Sequence, residues 1–509
     1  MWHRTLRCVS VMALVGAAAG AKADTYWAYT YQSFDVLAAG SSAFAESIAR
    51  NLERFDIAFA EIAKLDLGQW RPPTHIYALD PGVLKLVWPN PTAIESTYHT
   101  GEFATDIVMD NQGEQDNRYH GAYFGYAGSL LTTEGRLRFP YWFQMGMSDL
   151  FAASIVRSNE VTIGGYSQGQ VRSLKEKPWI PMRTLLRLSG ADPQLRNSDA
   201  QFHLQYESEC WLLLHMVMIE GARRDQLTAY LAALGNGTPE EQAFAQGIQG
   251  SYEDLDKELQ AFLYKGLLRT LTVKVPADTD RITPLKLTAA QANARLAELT
   301  IRTQRDIDYG LKLAAQSLTA EQDNEYALRA EARGWLDKGQ FAESYKAVQA
   351  LSAVATLSAT GRTEAASVYG ALARAVEGHR ADLGVEATIL FSRATDAYGQ
   401  ALAADSENLP ALYGYAEVLL AQGDRERIRA FLLQAEKAVY HHPHSPGLAR
   451  SVSTMCAMLG DTDNALTFAF AWKRAALTAA ERNAADAYMA RLRTSKAQQE
   501  ALAPTPPAQ

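Results

Sequence analysis

Residues 409–461 read LPALYGYAEVLLAQGDRERIRAFLLQAEKAVYHHPHSPGLARSVSTMCAMLGD. The same signals come twice in the same order. A proline, Pro410 and then Pro446, opens an apolar, alanine-rich run, and a glycine–aspartate pair, Gly423-Asp424 and then Gly460-Asp461, ends it. Proline suits the first helical turn, where its missing N–H is not needed; glycine suits the left-handed end of a helix, and aspartate caps the next one. The prolines stand 36 residues apart and the glycines 37. Small residues flank each turn, Ala416 and Ala430 around the first, Ala457 and Ala465 around the second. Each period therefore predicts two helices joined by a tight turn. Upstream, Asp337-Lys338-Gly339-Gln340-Phe341 repeats the turn, and from about Leu287 the chain is alanine-rich and helical, with a longer, irregular middle from Gly361 to Ala404.

This stretch resembles tetratricopeptide repeats, whose period is about 34 residues. The resemblance implies an all-α helical solenoid over residues 287–497, with a concave face that takes a protein or peptide partner. An unclassified helical bundle is the other reading of the same helices. Residues 498–509 contain Pro504, Pro506 and Pro507 and read as a frayed tail.

The first half differs. Tyr26–Tyr31 and Phe34–Leu37 read as a strand or hairpin arm, and Phe44–Lys64 as a helix with Phe44, Ile48, Leu52, Phe55 and Phe59 at three- and four-residue steps. Pro73–Leu79 and Asp106–Met109 read as further strands, the second ended by Asp110-Asn111-Gln112-Gly113. Mixed strands and helices predict an α+β unit, with α/β the alternative, over residues 24–266, followed by a linker with some strand at 267–286.

Within that unit, Tyr126-Ala127-Gly128-Ser129-Leu130-Leu131 is followed by Phe139-Pro140-Tyr141-Trp142-Phe143-Gln144-Met145-Gly146-Met147-Ser148-Asp149-Leu150-Phe151. Val161–Gly164, Trp179–Met182 and the run Tyr206, Glu209, Cys210, Trp211 and His215 come further on. These stretches resemble the exported gluzincin-type (peptidase-MA-like) metallopeptidases that precede tetratricopeptide repeats, in which the matching pattern is H-E-Y-x-H-x-L-L and then P-x-W-x-x-E-G-x-A-E-x-F. The family's chemistry needs two histidines at i and i+4 for Zn²⁺, a glutamate as base on the metal-bound water, and a distal glutamate ligand. Carried over, those positions are Phe124, Gly125, Gly128 and Met145, and every one has lost its metal chemistry. No His-Glu dipeptide occurs in the chain. His120 is the nearest imidazole, with no partner four residues on. The resemblance thus implies a degenerate, zinc-less peptidase scaffold without catalytic residues or cofactor, with Tyr206, Glu209 and His215 beside its former cleft; from its apolar neighbours His215 reads first as a hydrogen-bonded core histidine.

Two other patterns compete. Gly165-Tyr166-Ser167-Gln168-Gly169 fits the G-x-S-x-G nucleophile elbow, with Asp192 and His203 or His215 available as partners, which makes an exported serine hydrolase on Ser167 the alternative function. The following segment, Gln170–Pro178, is charged and soon stopped by proline, unlike the buried helix such an elbow enters. His441-His442-Pro443-His444 has imidazoles that suit Zn²⁺ or Ni²⁺, but its place between repeats predicts an exposed turn.

Composition bounds the rest. At 509 residues the chain exceeds one ordinary core, and 48% hydrophobic with 21% charged residues is the make-up of a folded soluble protein. The formal charge is −8 with no basic stripe, which argues against nucleic-acid partners. Residues 1–23 carry Arg4 and Arg7, an apolar run from Val9 to Ala19, and Ala21-Lys22-Ala23, the pattern of a signal peptide cleaved after Ala23. Its removal takes away Arg4, Arg7 and Lys22, brings the formal charge to −8 − 3 = −11, and predicts a periplasmic or secreted protein with no transmembrane span. Cys210 and Cys456 then remain; an oxidising compartment would let them pair, but they lie in different halves and read first as two buried free thiols. The reading is an exported, non-catalytic protein-interaction protein. A component of a cell-envelope assembly is a further alternative.

Overall fold

The computed structural model describes residues 25–31, 33–63, 73–89, 98–101, 103–111, 119–133, 139–190, 192–266, 268–277, 283–476 and 478–502. The signal peptide read at residues 1–23 lies outside the described residues. Nine strands are described: β1 (Tyr26–Tyr31), β2 (Phe34–Ala39), β3 (Thr74–Leu79), β4 (Tyr98–Thr100), β5 (Thr105–Asp110), β6 (Ile155–Val156), β7 (Glu160–Ile163), β8 (Leu271–Lys274) and β9 (Leu285–Lys286). Six form a sheet in the order β4-β5-β3-β2-β1-β9, and three form a smaller one, β6-β7-β8. The expected hairpin arm is the antiparallel pair β1–β2, while β2, β3 and β5 run parallel at the centre.

Side chains alternate across a strand, so each central strand has two faces to cover. On one face Val36 lies beside Ile76, and Ile76 beside Ile107. These pack into a core with helices α1 (Ser42–Ala63), α2 (His120–Thr133), α3 (Tyr141–Ala152), α4 (Gln168–Glu176) and α5 (Ala200–Leu214). The other face presents Leu37, Tyr77, Leu79 and Val108. It is covered by Ala294, Ala297 and Ile301 of α6 (Ala289–Arg302) and by Leu311 and Ala314 of α7 (Ile307–Ala320). The first hairpin of the helical array is therefore also a layer of the sheet domain. The stretch expected to be a linker takes part too, since β8 pairs with β7 and β9 with β1.

Buried charge ties the two layers together. Arg302 Nε donates to Asp106 Oδ2 at 3.0 Å, its Nη2 donates to Asp106 Oδ1 and to the Tyr77 hydroxyl, and His75 Nδ1 lies 3.3 Å from the same carboxylate. Arg295 Nη1 donates to both Asp35 oxygens at 2.9 Å. Burial by itself raises the Asp106 carboxyl, but Arg302 and His75 outweigh it and hold the group well below the usual carboxylate range.

The array continues as α8 (Glu325–Asp337) with α9 (Phe341–Ser352), α10 (Ala359–Glu377) with α11 (Ala387–Ala404), α12 (Leu409–Gln422) with α13 (Arg425–His441), and α14 (Pro446–Leu459) with α15 (Thr462–Ala475). The expected turn chemistry is in place. Gly423 and Gly460 have φ of +66° and +89°, and the aspartates after them cap the next helix, Asp424 accepting from Arg427 N and Asp461 from Asn464 N. The irregular middle is the long pair α10 and α11. A last helix, α16 (Ala479–Leu502), runs into the stretch read as a tail, of which residues 503–509 lie outside the described residues. No described helix is long and apolar enough to cross a membrane.

Arg302→Met leaves Asp106, 1% exposed, without its cation. The expected loss is about 3–5 kcal/mol of unfolding free energy, read as a lower urea midpoint.

Candidate binding groove and glycine-lined helix face

Helices α2 and α3 lie side by side, and edge strand β4 runs past them. A Cβ built on Gly125 would stand 2.8 Å from Tyr98 Cβ; one on Gly128 would stand 2.9 Å from the Tyr98 hydroxyl and 3.3 Å from Ser148 Oγ. The Tyr98 ring thus lies along one turn of α2, in space that only two glycines leave open. Phe124 meets the same ring edge-on at 6.2 Å, and burial raises the Tyr98 phenol. Met145 is buried on α3, one turn before Ser148 and on the same side of that helix. Three of the four positions, Phe124, Gly125 and Gly128, thus gather around Tyr98, and Met145 sits in the neighbouring helix. Sequence reading missed Tyr98. The signal was the Gly125/Gly128 pair at i and i+3, which leaves room for a neighbour to press closely against the helix.

The residues expected beside the former cleft are buried. Tyr206 stacks on Tyr141 with ring centres 6.0 Å apart. Glu209 is 0% exposed, and its Oε1 accepts from Ile180 N at 2.9 Å and from Gln205 Nε2 at 2.6 Å. His215 opens a π-helical turn, His215–Ile219, and its Nε2 lies 2.8 Å from the Arg269 carbonyl. His215 is thus a hydrogen-bonded core histidine, as its apolar neighbours led one to expect, and Tyr206 and Glu209 are buried in the core rather than lining an open surface. Burial pushes the Glu209 carboxyl up to about 8 and that of Glu207 up to about 7. Burial, with Glu207 nearby, also raises Asp149 on α3. Cys210 and Cys456 are free and buried, as expected.

Ser167 is an exposed helix cap. Its Oγ accepts from Gln170 N at 3.1 Å, and Gln170 Oε1 accepts from Ser167 N at 2.9 Å, closing a capping box on α4. Asp192 caps another short helix through Gln194 N. Among the described residues neither His203 nor His215 hydrogen-bonds Ser167, so no triad is assembled. The histidine run departs from the expected exposed turn. His441 is exposed with Nδ1 3.3 Å from Glu407, but His442 is 1% exposed and burial takes its imidazole down to about 4. No group of three His, Cys, Asp or Glu among the described residues is placed to hold a metal.

A cavity walled by charged and apolar side chains lies where the sheet meets the array. It measures about 490 Å³ and is walled by His75 and Phe103 from the sheet and by Arg302, Arg329, Arg333 and Glu364 from the array. A second space of about 220 Å³ shares Phe103, Arg333 and Glu364 and continues to Arg374, Tyr413 and Glu417. These walls come from α6, α8, α10 and α12, the first helices of successive hairpins, which pack side by side and make one continuous groove. Two of its arginines are paired with carboxylates. Arg333 Nε donates to Glu364 at 2.8 Å and its Nη2 to Ser367 at 3.0 Å, and Arg329 pairs with Glu298. A third cavity of about 510 Å³, lined by Phe139, Phe143, Met147, Met218 and Leu231, is largely apolar.

No family model and no curated protein matches the chain. Among solved structures it is similar to a thermophilic tetratricopeptide-repeat protein, TTC0263, of Thermus thermophilus, at 20% identity and a TM-score of 0.31 over 39% of this chain and 98% of that one. It is similar to the MamA protein at 18% identity and 0.27 over 43% and 98%, and to yeast Tom70 at 12% and 0.26 over 73% of each. Scores this low carry nothing about function. The repeat architecture stands on the hairpins and turns described above.

Two outcomes follow. A buried carboxyl whose pKa is raised binds its proton more readily folded than unfolded, so its stabilising share is complete below the ordinary carboxyl pKa of about 4 and lost as pH rises toward about 8. Glu209→Gln, which keeps an acceptor for Ile180 N–H, should flatten that decline in urea titrations at about pH 5 and pH 8, whereas Glu209→Ala should cost about 1–3 kcal/mol at both. Ser167→Ala should cost about 0.5–2 kcal/mol through the lost cap.

Proposed function

We propose that this protein is an exported, non-catalytic interaction protein whose tetratricopeptide-like array holds a segment of a partner protein, with a zinc-less, peptidase-like domain as its amino-terminal cap. The observation that carries the reading is the groove along α6, α8, α10 and α12. It offers paired guanidinium and carboxylate groups, tyrosine hydroxyls and apolar surface within one cleft. Such a mixture suits a polypeptide, which brings backbone donors and acceptors as well as side chains. The peptidase-like half of the proposal rests on the sequence pattern and on Tyr98. The ring, with Phe124, occupies the helix face where the pattern expects zinc ligands, and the groups left there, Phe124, two glycines and Met145, offer no ligand suited to zinc.

Selection of displayed random peptides on the purified chain should enrich binders that lose affinity at least tenfold on Arg333→Glu. Elemental analysis should find no stoichiometric zinc, and stoichiometric zinc with chelator-sensitive peptide hydrolysis would remove the non-catalytic reading. Export is checked by amino-terminal sequencing of the protein recovered outside the cytoplasm, with Asp24 expected first.

A further inference from the structure

The groove already contains an aromatic side chain, and it comes from the same chain. Between β4 and β5 the backbone turns back on itself, Gly101 N donating to Ala104 O at 2.9 Å, and Thr105 N donates to Pro73 O at 3.0 Å. From this turn Phe103 reaches across to the array and packs on the core of its helices, its ring centre 5.5 Å from that of Tyr413 on α12. Phe103 borders both the larger and the smaller groove cavity and so stands at their junction.

We propose that Phe103 occupies, in cis, the anchor position of the groove, and that the partner is a protein segment presenting an aromatic side chain that displaces it. This deepens the peptide-binding reading and rests on it. Three observations support the assignment. Phe103 is only half-buried, with open space on either side of it, unlike a core residue. Its neighbours in the groove include the Arg333–Glu364 pair, the Tyr413 ring and Pro410, a setting that accepts an aromatic ring together with the polar backbone that carries it. The sheet is held on the array by Arg302–Asp106, Arg295–Asp35 and the apolar layer beneath them, none of which involves Phe103. The turn can therefore withdraw without parting the two halves. Aromatic rings are the usual anchors of protein interfaces, since they bury much surface with few rotors.

The test uses the full chain, wild type and Phe103→Ala, titrated by fluorescence anisotropy with a labelled peptide of residues 98–106 (YHTGEFATD) and with the same peptide carrying Phe103→Ala. The Phe103→Ala chain is expected to bind the phenylalanine peptide at least tenfold more tightly than wild type, and the alanine peptide at least tenfold more weakly. Equal binding by both chains, or binding indifferent to the phenylalanine, overturns the proposal. So does a Phe103→Ala chain that fails to fold by circular dichroism, because the ring would then belong to the core. Displayed peptides selected on both chains separate the two levels of the argument. Peptides that bind wild type and Phe103→Ala equally would end the cis-occupancy proposal and leave the peptide-binding function standing; no enrichment on either chain would end both.

Discussion

A β-sheet whose central strands run parallel has two apolar faces, and neither tolerates water. Here α1 and α2 lie on one face, with α3 to α5 packed into the same core, and the other face falls to α6 and α7, which also begin the helical array. Leu37, Tyr77 and Val108 against Ala294, Ala297 and Ile301 make that contact, and the partly buried pairs Arg302–Asp106 and Arg295–Asp35 set its register. Apolar surfaces slide over one another at little cost, but a buried carboxylate must meet its guanidinium. The position of the whole array on the sheet, and so the cleft between them, depends on this layer.

The groove inherits its chemistry from the same arrangement. Arg302 lies partly within the interface and partly in the cavity wall, so one side chain both fixes the halves and shapes the site. The β4–β5 segment performs two tasks as well. Tyr98 at one end fills the face of α2 opened by Gly125 and Gly128, and Phe103 at the other reaches into the array. An edge strand is free to do this because one of its sides has no sheet neighbour to satisfy.

Much of the architecture was legible in the residues. The strands at 26–31, 34–39, 74–79 and 105–110 and the helix at 42–63 fall where the sequence has strand-like runs and the three- and four-residue helical period. The repeat turns follow Gly423-Asp424 and Gly460-Asp461, because a left-handed helix end and a cap are local requirements met by the residues themselves. The meaning of Ser167 was open at that level. A five-residue pattern specifies a turn but not its neighbours, and the neighbours make it a helix cap. Tyr206, Glu209 and His215 were placed on the right helix, yet their full burial depends on elements far away in the chain, among them Ile180 and the Arg269 carbonyl.

Strand-like and helix-like runs, the repeat turns, and the lack of any His-Glu pair are properties of short stretches and could be read from the residues alone. That the first repeat closes the sheet, that Tyr98 fills the glycine-lined face, and that Phe103 stands in the groove emerges from the folded chain. Each of these joins side chains from elements well separated along the chain, and which surfaces meet is set by the joint burial of both partners rather than by either stretch alone.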